Sequence, residues 1–314
     1  MRIKPSINQP RRANNQPHRA KREQRRRLLS LSLLALLFIT TAAARAQAQQ
    51  FVARTTDSLP EAAEAIEAAD EDEDFIKPTR PGVTNPAEFQ RPGVLQLELG
   101  YEGNFRARDV RADQSLPLAL RFAATSRLLL EVDLDVLKSQ TDEARLRETG
   151  IGDTRVGLQI VAIKETEAHP ALAFAYYAKL PSASAAKGLG TGRVDHKIVL
   201  LLSRKFGETD VDFNGAYLIV GREDAGGWVT GGQAGISVAR EYENHFGVEA
   251  ELSGQSKDDS LPPGLYALGA LTYKANRRVV FDTGLRFGLN HDAPRVGVFA
   301  GLTIGVADFY RRKP

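Results

Sequence analysis

From Val94 to Val306 the chain alternates apolar and polar residues, segment after segment. In LLLEVDLDVL, residues 128–137, the positions Leu130, Val132, Leu134 and Val136 share one parity. Glu131, Asp133 and Asp135 share the other. Period two marks a strand with one apolar and one polar face. The same pattern sets Leu95, Leu97, Leu99 and Tyr101 against Gln96, Glu98, Gly100 and Glu102, and Phe246, Val248, Ala250 and Leu252 against Gly247, Glu249 and Glu251. Near the C-terminus, Phe281, Thr283, Leu285 and Phe287 alternate with Asp282, Gly284, Arg286 and Gly288. Twelve strands are predicted, at 93–102, 114–123, 126–137, 150–162, 170–180, 193–204, 209–220, 229–239, 245–254, 264–274, 278–289 and 295–306. Two alternate weakly: Val199, Leu200, Leu201 and Leu202 are all apolar in the sixth, and the tenth is apolar in both registers.

The connections alternate in length. Those after odd-numbered strands, such as 103–113, 138–149 and 181–192, are mostly long and rich in Gly, Pro and charge. Those after even-numbered strands, such as 124–125, 205–208 and 275–277, are mostly tight; 163–169 is long for a turn and 290–294 short for a loop. An even strand count, about ten residues per strand, long loops at one end and short turns at the other describe an antiparallel up-and-down transmembrane β-barrel. The aromatics give a second argument. With both termini on the short-turn side, Tyr101, Tyr177, Tyr217, Trp228, Tyr266 and Phe287 fall near outer ends. Phe122, Phe206, Tyr242, Phe246, Tyr273, Phe281, Phe309 and Tyr310 fall near inner ends. Two aromatic girdles suit a wall that spans lipid.

Charge divides the chain. Residues 1–46 carry eleven Lys/Arg and one acid, leaving 31 basic and 38 acidic residues beyond them, a net −7. The overall +3 therefore indicates no nucleic-acid partner. Arg25-Arg26-Arg27 precedes the apolar run 28–44, and the small residues Ala44-Arg45-Ala46 and Ala46-Gln47-Ala48 follow it. That order reads as a signal peptide over 1–46, cleaved after Ala46 or Ala48, and so as export to the outer membrane. A transmembrane anchor is the rival reading, but the run is at the short limit for a spanning helix. Residues 47–92 form an acidic, Pro-rich periplasmic lead-in. Within it, 57–74 holds nine acids and no base, and 78–93 holds four prolines. It is placed to occlude the inner mouth of a barrel occupying 93–310. There is no cysteine, hence no disulfide and no thiolate metal site.

Three stretches resemble a known exported family: TRPGVTNPAEFQRPGVLQLELGYE, GIGDTRVGLQ and KLPSASAAKGLGTGRVDHKIVLLLSRKFG. The chain is similar from about Thr79 to Tyr310 to the family labelled "MetA-pathway of phenol degradation", whose members are regarded as outer-membrane transporter barrels. The resemblance implies an outer-membrane barrel that passes small, aromatic or hydrophobic molecules. It also makes Gly188–Gly192 a pore-mouth loop. Outer-membrane barrels commonly end on an aromatic read by the assembly machinery. Here Phe309-Tyr310 is followed by Arg311-Arg312-Lys313-Pro314, a departure from that ending.

In a barrel the polar parity faces the lumen. The expected lumen set includes Gln96, Glu98, Arg121, Glu131, Asp133, Asp135, Arg155, Lys179, Asp195, Lys197, Asp212, Asn214, Glu249, Glu251, Asp282 and Arg286. Both signs are present. Buried charges are rarely left unpaired, so ion pairs across the lumen are the default and a charged solute path is the alternative. Arg121 and Arg155 are the candidate partners of the three acids in LLLEVDLDVL. Those acids could be a glycosidase pair, since i, i+2 neighbours lie about 7 Å apart on a strand. The recurrence of alternating polar residues in most strands favours a wall instead. Gly188-Leu189-Gly190-Thr191-Gly192 lacks phosphate-loop spacing, with no helix pattern after it, so no cofactor is expected. The five histidines show no ligand spacing, so no metal is expected either. His196 falls on the apolar face, while Ser203, the nucleophile a lipid-cleaving enzyme would require, falls on the other.

Three functions follow in order of fit: a passive channel for small molecules with lipid around it, a sealed structural barrel, and a lipid-modifying enzyme. A soluble periplasmic β-sandwich is the competing fold. The barrel reading predicts that the unboiled protein runs on a gel as a compact species and shifts on heating. A soluble protein with one heat-insensitive band would exclude it.

Overall fold

The computed structural model describes residues 75–107, 110–221, 226–256 and 263–310; the expected signal peptide, 1–46, and residues 47–74 of the lead-in lie outside them. The strands are β1 (Val94–Ala107), β2 (Val110–Ala123), β3 (Leu128–Asp142), β4 (Arg147–Gly150), β5 (Thr154–Ile163), β6 (Ala171–Leu180), β7 (Asp195–Phe206), β8 (Thr209–Gly221), β9 (Trp228–Glu241), β10 (Phe246–Gln255), β11 (Gly264–Asn276), β12 (Val279–Gly288) and β13 (Val296–Asp308). Neighbours pair antiparallel in chain order, and β1 pairs with β13 from Val94↔Asp308 to Phe105↔Val296, which closes the sheet. β4 and β5 form one stave. Residues 138–141 of β3 pair with β4, and 128–134 pair with β5. Between them Gly152 bulges and donates its N–H to the Asp135 carbonyl at 2.8 Å. The barrel therefore has the twelve staves expected.

Several strands run beyond the expected ends. β1 reaches Ala107, β2 begins at Val110 and β3 continues to Asp142, so much of 103–113 and 138–149 is paired hairpin rather than loop. The physical reason is that hydrophobic alternation needs lipid on one face. Around Arg106, Arg111, Ala112 and Asp113 both faces are wet, so the pattern fades while the backbone pairing persists.

The outward parity forms an apolar belt. Phe174 (50%), Ile198 (48%), Ile236 (45%), Leu252 (57%) and Leu271 (55%) all leave about half their surface outside the protein. In water such a continuous band would be an aggregation surface; in a bilayer it is solvated by acyl chains. Aromatics edge the belt. Tyr217, Trp228 and Phe287 lie toward the long loops, and Phe206, Tyr242, Phe246, Phe281, Phe309 and Tyr310 toward the short turns. Tyr310 also seals the last strand, packing edge-on to Phe122 and donating its hydroxyl to the Ala124 carbonyl at 2.9 Å.

Two residues expected in the outer girdle face inward instead. Tyr177 shares parity with the buried Ala171, Ala173 and Ala175, and Tyr266 with Leu268 and Ala270. Tyr176, one place away, takes the outward position. The inside of the barrel is thus partly apolar. Ala87, Ala171, Ala173, Ala175, Tyr177, Val199 and Leu201 form one cluster, and Phe75, Ile76, Val94 and Val280 another. Ala87, Phe75 and Ile76 belong to the lead-in, whose described part runs within the barrel rather than on its periplasmic side.

Ile236→Arg, near the middle of β9 on the lipid face, should destabilise the barrel by about 2–4 kcal/mol in a bilayer. An exposed substitution on a soluble protein stays within about 0.5 kcal/mol. Urea unfolding from vesicles distinguishes the two.

Candidate functional site

Residues 75–92 enter the lumen at the short-turn end, rise to the level of Glu102 and Arg286, cross over and descend to begin β1. Phe75 anchors the entry. Its ring lies beneath the guanidiniums of Arg278 (4.2 Å), Arg91 (5.1 Å) and Arg277 (5.4 Å) and against Ile76, Val94 and Val280. Four prolines keep this segment from forming a ladder of its own. At membrane depth its backbone polar groups have no bulk water, so they need partners from the wall.

Inward side chains supply them in sequence. The Gln96 amide accepts from Lys77 N and donates to Lys77 O, both at 2.9 Å. Glu98 accepts from Thr79 N at 3.0 Å and from the Thr79 hydroxyl. Arg80 reaches Asp282 at 3.4 Å. It does so by lying flat on Gly100 and Gly301, a β1/β13 pair where any Cβ would overlap its guanidinium. Arg286 binds Glu102 and donates to Pro81 O at 3.4 Å. Val83 N and Thr84 N both donate to Glu251 Oε2 at 2.8 Å. Asn85 exchanges two hydrogen bonds with Asn214, at 2.7 and 2.8 Å. Ala87 N donates to Ser203 Oγ at 2.7 Å, and Gln159 donates to Ala87 O at 2.8 Å. Gln90 donates to Arg121 O at 3.0 Å. Arg91 then pairs with Asp308, and Gly93 N donates to Ala123 O at 2.8 Å as β1 begins. These polar contacts join the segment to eight staves, and it is a plug.

The three acids of LLLEVDLDVL have separate fates. Glu131 pairs with Arg121 at 3.1 Å and Asp133 with Arg155 at 3.1 Å. Asp135 sits beside the Gly152 bulge with no hydrogen bond or ion pair on its side chain. Arg121 is the hub: its side chain is 1% exposed, it also approaches Glu98 at 3.5 Å, and it donates to Lys77 O at 2.9 Å. Lys197 faces the lumen beside Val199 and Leu201. Glu249 lies next to the plug at Gly82 and makes no hydrogen bond or ion pair among the described residues. The structure thus places Glu98, Arg121, Glu251, Asp282 and Arg286 on the plug. Glu131, Asp133, Asp135, Arg155, Lys197 and Glu249 line the wall. Gln159 and Glu102, outside the expected lumen set, also hold the plug or its partners, and so does Ser203, which the sequence already puts on the lumen face. Gln159 sits on the polar parity of β5, the signal that marks it. What was missing was the plug itself as their partner.

The plug leaves a cavity of about 240 Å³, bounded by Thr79–Val83 and by β1–β3 and β5–β9. At the long-loop end it is capped by Leu189, which is 1% exposed. The segment 181–194 makes a single 3-10 turn over Ala185–Lys187 and is tied down by Ala183 N to Asp153 (2.9 Å) and Lys187 Nζ to Thr149 O (3.1 Å). Below it Lys179 bridges Asp153 at 3.3 Å and Asp195 at 2.5 Å. The glycine-rich stretch, given as a pore-mouth loop by the resemblance, is folded over the cavity, with Leu189 and Gly190 in its lining. Among the described residues no three His, Asp or Glu side chains gather as a metal site.

The family model described as "Putative MetA-pathway of phenol degradation" matches residues 79–305, from the plug through β13. The chain belongs to this family. No curated protein sequence matches it. The crystal structure of the COG4313 outer membrane channel from Pseudomonas putida F1 is similar at 14% identity, covering 72% of this chain and 99% of that one, with a TM-score of 0.57. The KdgM porin in complex with disordered oligogalacturonate gives 11% identity, 68% and 99% coverage and a TM-score of 0.45. Outer membrane phospholipase A from Escherichia coli gives 13% identity, 70% and 95% coverage and a TM-score of 0.40. The first of these shows that this family member has the fold of an outer-membrane barrel.

Arg121→Ala should cost about 3–5 kcal/mol, because it strands Glu98 and Glu131 without a cation. Adding Glu131→Gln should recover part of that loss. Urea unfolding in detergent measures both, and a neutral single mutant would remove Arg121 as the hub.

Proposed function

We propose that the protein is an outer-membrane channel through which small molecules diffuse passively, with residues 75–92 as a displaceable plug. The observation that carries this reading is how the lumen is filled. A barrel of twelve staves is wider than the eight-stranded ones that side chains fill. Here the excess space holds a separate stretch of backbone, gripped by about a dozen side-chain hydrogen bonds, with a cavity beside it. Each such bond contributes roughly 0.5–1.5 kcal/mol net, somewhat more where a carboxylate accepts. None is covalent and none belongs to the wall's own ladder, so the plug can leave while the barrel stays closed. Export through the signal peptide at 1–46, insertion by the outer-membrane assembly machinery and lipid contact at the aromatic girdles complete the picture. The family description makes small aromatic compounds the first solutes to test.

A lipid-modifying enzyme fits the geometry less well. His196 is on the lipid side, where Nδ1 meets the Tyr176 hydroxyl at 2.7 Å and the ring stacks on Tyr176 and lies tilted against Trp228. Ser203 is on the lumen side, bonded to Asp212 and to Ala87 N. Among the described residues nothing brings a base to that hydroxyl from the membrane face, and His196→Ala should cause no loss of activity on lipid substrates relative to the unaltered chain.

Planar-bilayer recordings test the channel. Deleting residues 78–86, with β1 intact, should raise single-channel conductance severalfold. Glu251→Ala, which releases Val83 and Thr84, should raise the frequency of opening with the wall unchanged. Absence of conductance in all three proteins would identify a sealed, structural barrel.

A further inference from the structure

The inward charges do not cancel, and the remainder is negative. Five cations hold seven carboxylates. Arg121 serves Glu98 and Glu131, Lys179 serves Asp153 and Asp195, and Arg80, Arg155 and Arg286 serve Asp282, Asp133 and Glu102. Three further lysines, Lys77, Lys138 and Lys197, stand against five further carboxylates, Asp113, Asp135, Asp212, Glu249 and Glu251. None of these five makes an ion pair among the described residues. Asp135 and Glu249 have no side-chain partner at all, Asp212 has the Ser203 hydroxyl, and Glu251 has only the two plug N–H groups. Glu251 is 3% exposed and its second oxygen, Oε1, is buried without a partner.

The placement of the unpaired acids matters as much as their number. Asp135 lines the cavity beside the bulge, toward the long loops. Glu249 lies on the opposite side of the plug turn, next to Gly82 and nearer the short turns, with part of its surface open. A solute crossing the barrel meets two carboxyl groups outside any ion pair among the described residues, Asp135 in the cavity with Lys138 in the same lining and Glu249 beside Gly82. In a narrow passage with low-dielectric walls, such charges concentrate counter-ions and repel co-ions far more strongly than on an open surface. Mixed signs alone suggest weak selectivity; the ion pairs engage five of the inward cations and leave three lysines against five acids.

Resting on the channel reading, we infer that the open lumen prefers cations, and that its organic solutes are ones carrying an ammonium rather than a carboxylate group. Asp135 and Glu249 set the preference. Since neither makes a hydrogen bond or an ion pair, Asp135→Asn and Glu249→Gln leave the fold's contacts in place, which the heat-shifted gel band verifies.

The test is a reversal potential in a potassium chloride gradient, on the full chain and on the chain lacking residues 78–86. The expected permeability ratio favours potassium, and the double substitution should lower it roughly twofold or more. In proteoliposomes, benzylammonium should enter faster than benzoate, which shares the ring and reverses the charge, and the double substitution should narrow the gap. Chloride preference, equal entry of the two aromatic ions, or a ratio unmoved by the substitutions would overturn the inference while leaving a channel. No conductance from either chain would remove the channel reading, and this inference with it.

Discussion

Every feature of this molecule answers one constraint: a peptide group at membrane depth must find a hydrogen-bond partner within the protein. The wall answers with β1–β13 closure, so that no strand edge is left bare. The plug cannot answer that way, because its prolines and its turn at Gly82 prevent it from adding a strand. It borrows side chains instead, and those side chains are the acids, amides and hydroxyls of the inward parity. Glu98, Gln96, Asn214, Ser203 and Glu251 work as a surrogate ladder. Hence a lumen rich in charge is compatible with a stable barrel: much of that charge is engaged in solvating a neutral backbone.

This sorts the polar interior into two populations. Glu251, Asp282 and Arg286 carry out positioning, and Glu98 and Arg121 link the plug to the wall. Asp135 and Glu249 contribute nothing to holding the fold, which leaves their electrostatics free to act on whatever passes. The apolar interior has the same logic. Alanines on β6 and glycines on β1 and β13 thin the wall where the plug presses, and Arg80 reaches Asp282 only because Gly100 and Gly301 have no Cβ there.

The wall was legible in the sequence because lipid imposes a strict period. Leu130, Val132 and Leu134 against Glu131, Asp133 and Asp135 could be read directly, and so could the number of staves. Where lipid stops imposing it, legibility fails. The hairpin past Glu102 continues with both faces wet, and the ends were placed too early. The two weakly alternating strands became β7 and β11. Their second apolar face, with Leu201 or Leu268, is turned inward toward other buried side chains, and for β7 these include the plug's Ala87. Tyr177 and Tyr266 were misassigned for the same reason, since an aromatic near a strand end reads as girdle unless its parity is checked. The plug was legible only as an extended, proline-rich lead-in. Its partners are scattered over some 200 residues, and no local pattern encodes contacts at such separation.

The path of the plug has a mechanical consequence. Phe75 and Gly93 are both at the short-turn end, so residues 75–92 form a bight, like a loop of rope pushed into a tube, rather than a thread passed through it. A bight can be withdrawn without a free end crossing the barrel. Tension on the chain before Phe75 would peel the hydrogen bonds one after another, from Lys77 toward Ala87, instead of breaking them together. The force needed is then that of a single contact at a time, and the same loop can fall back into place because its foot at Gly93 stays joined to β1.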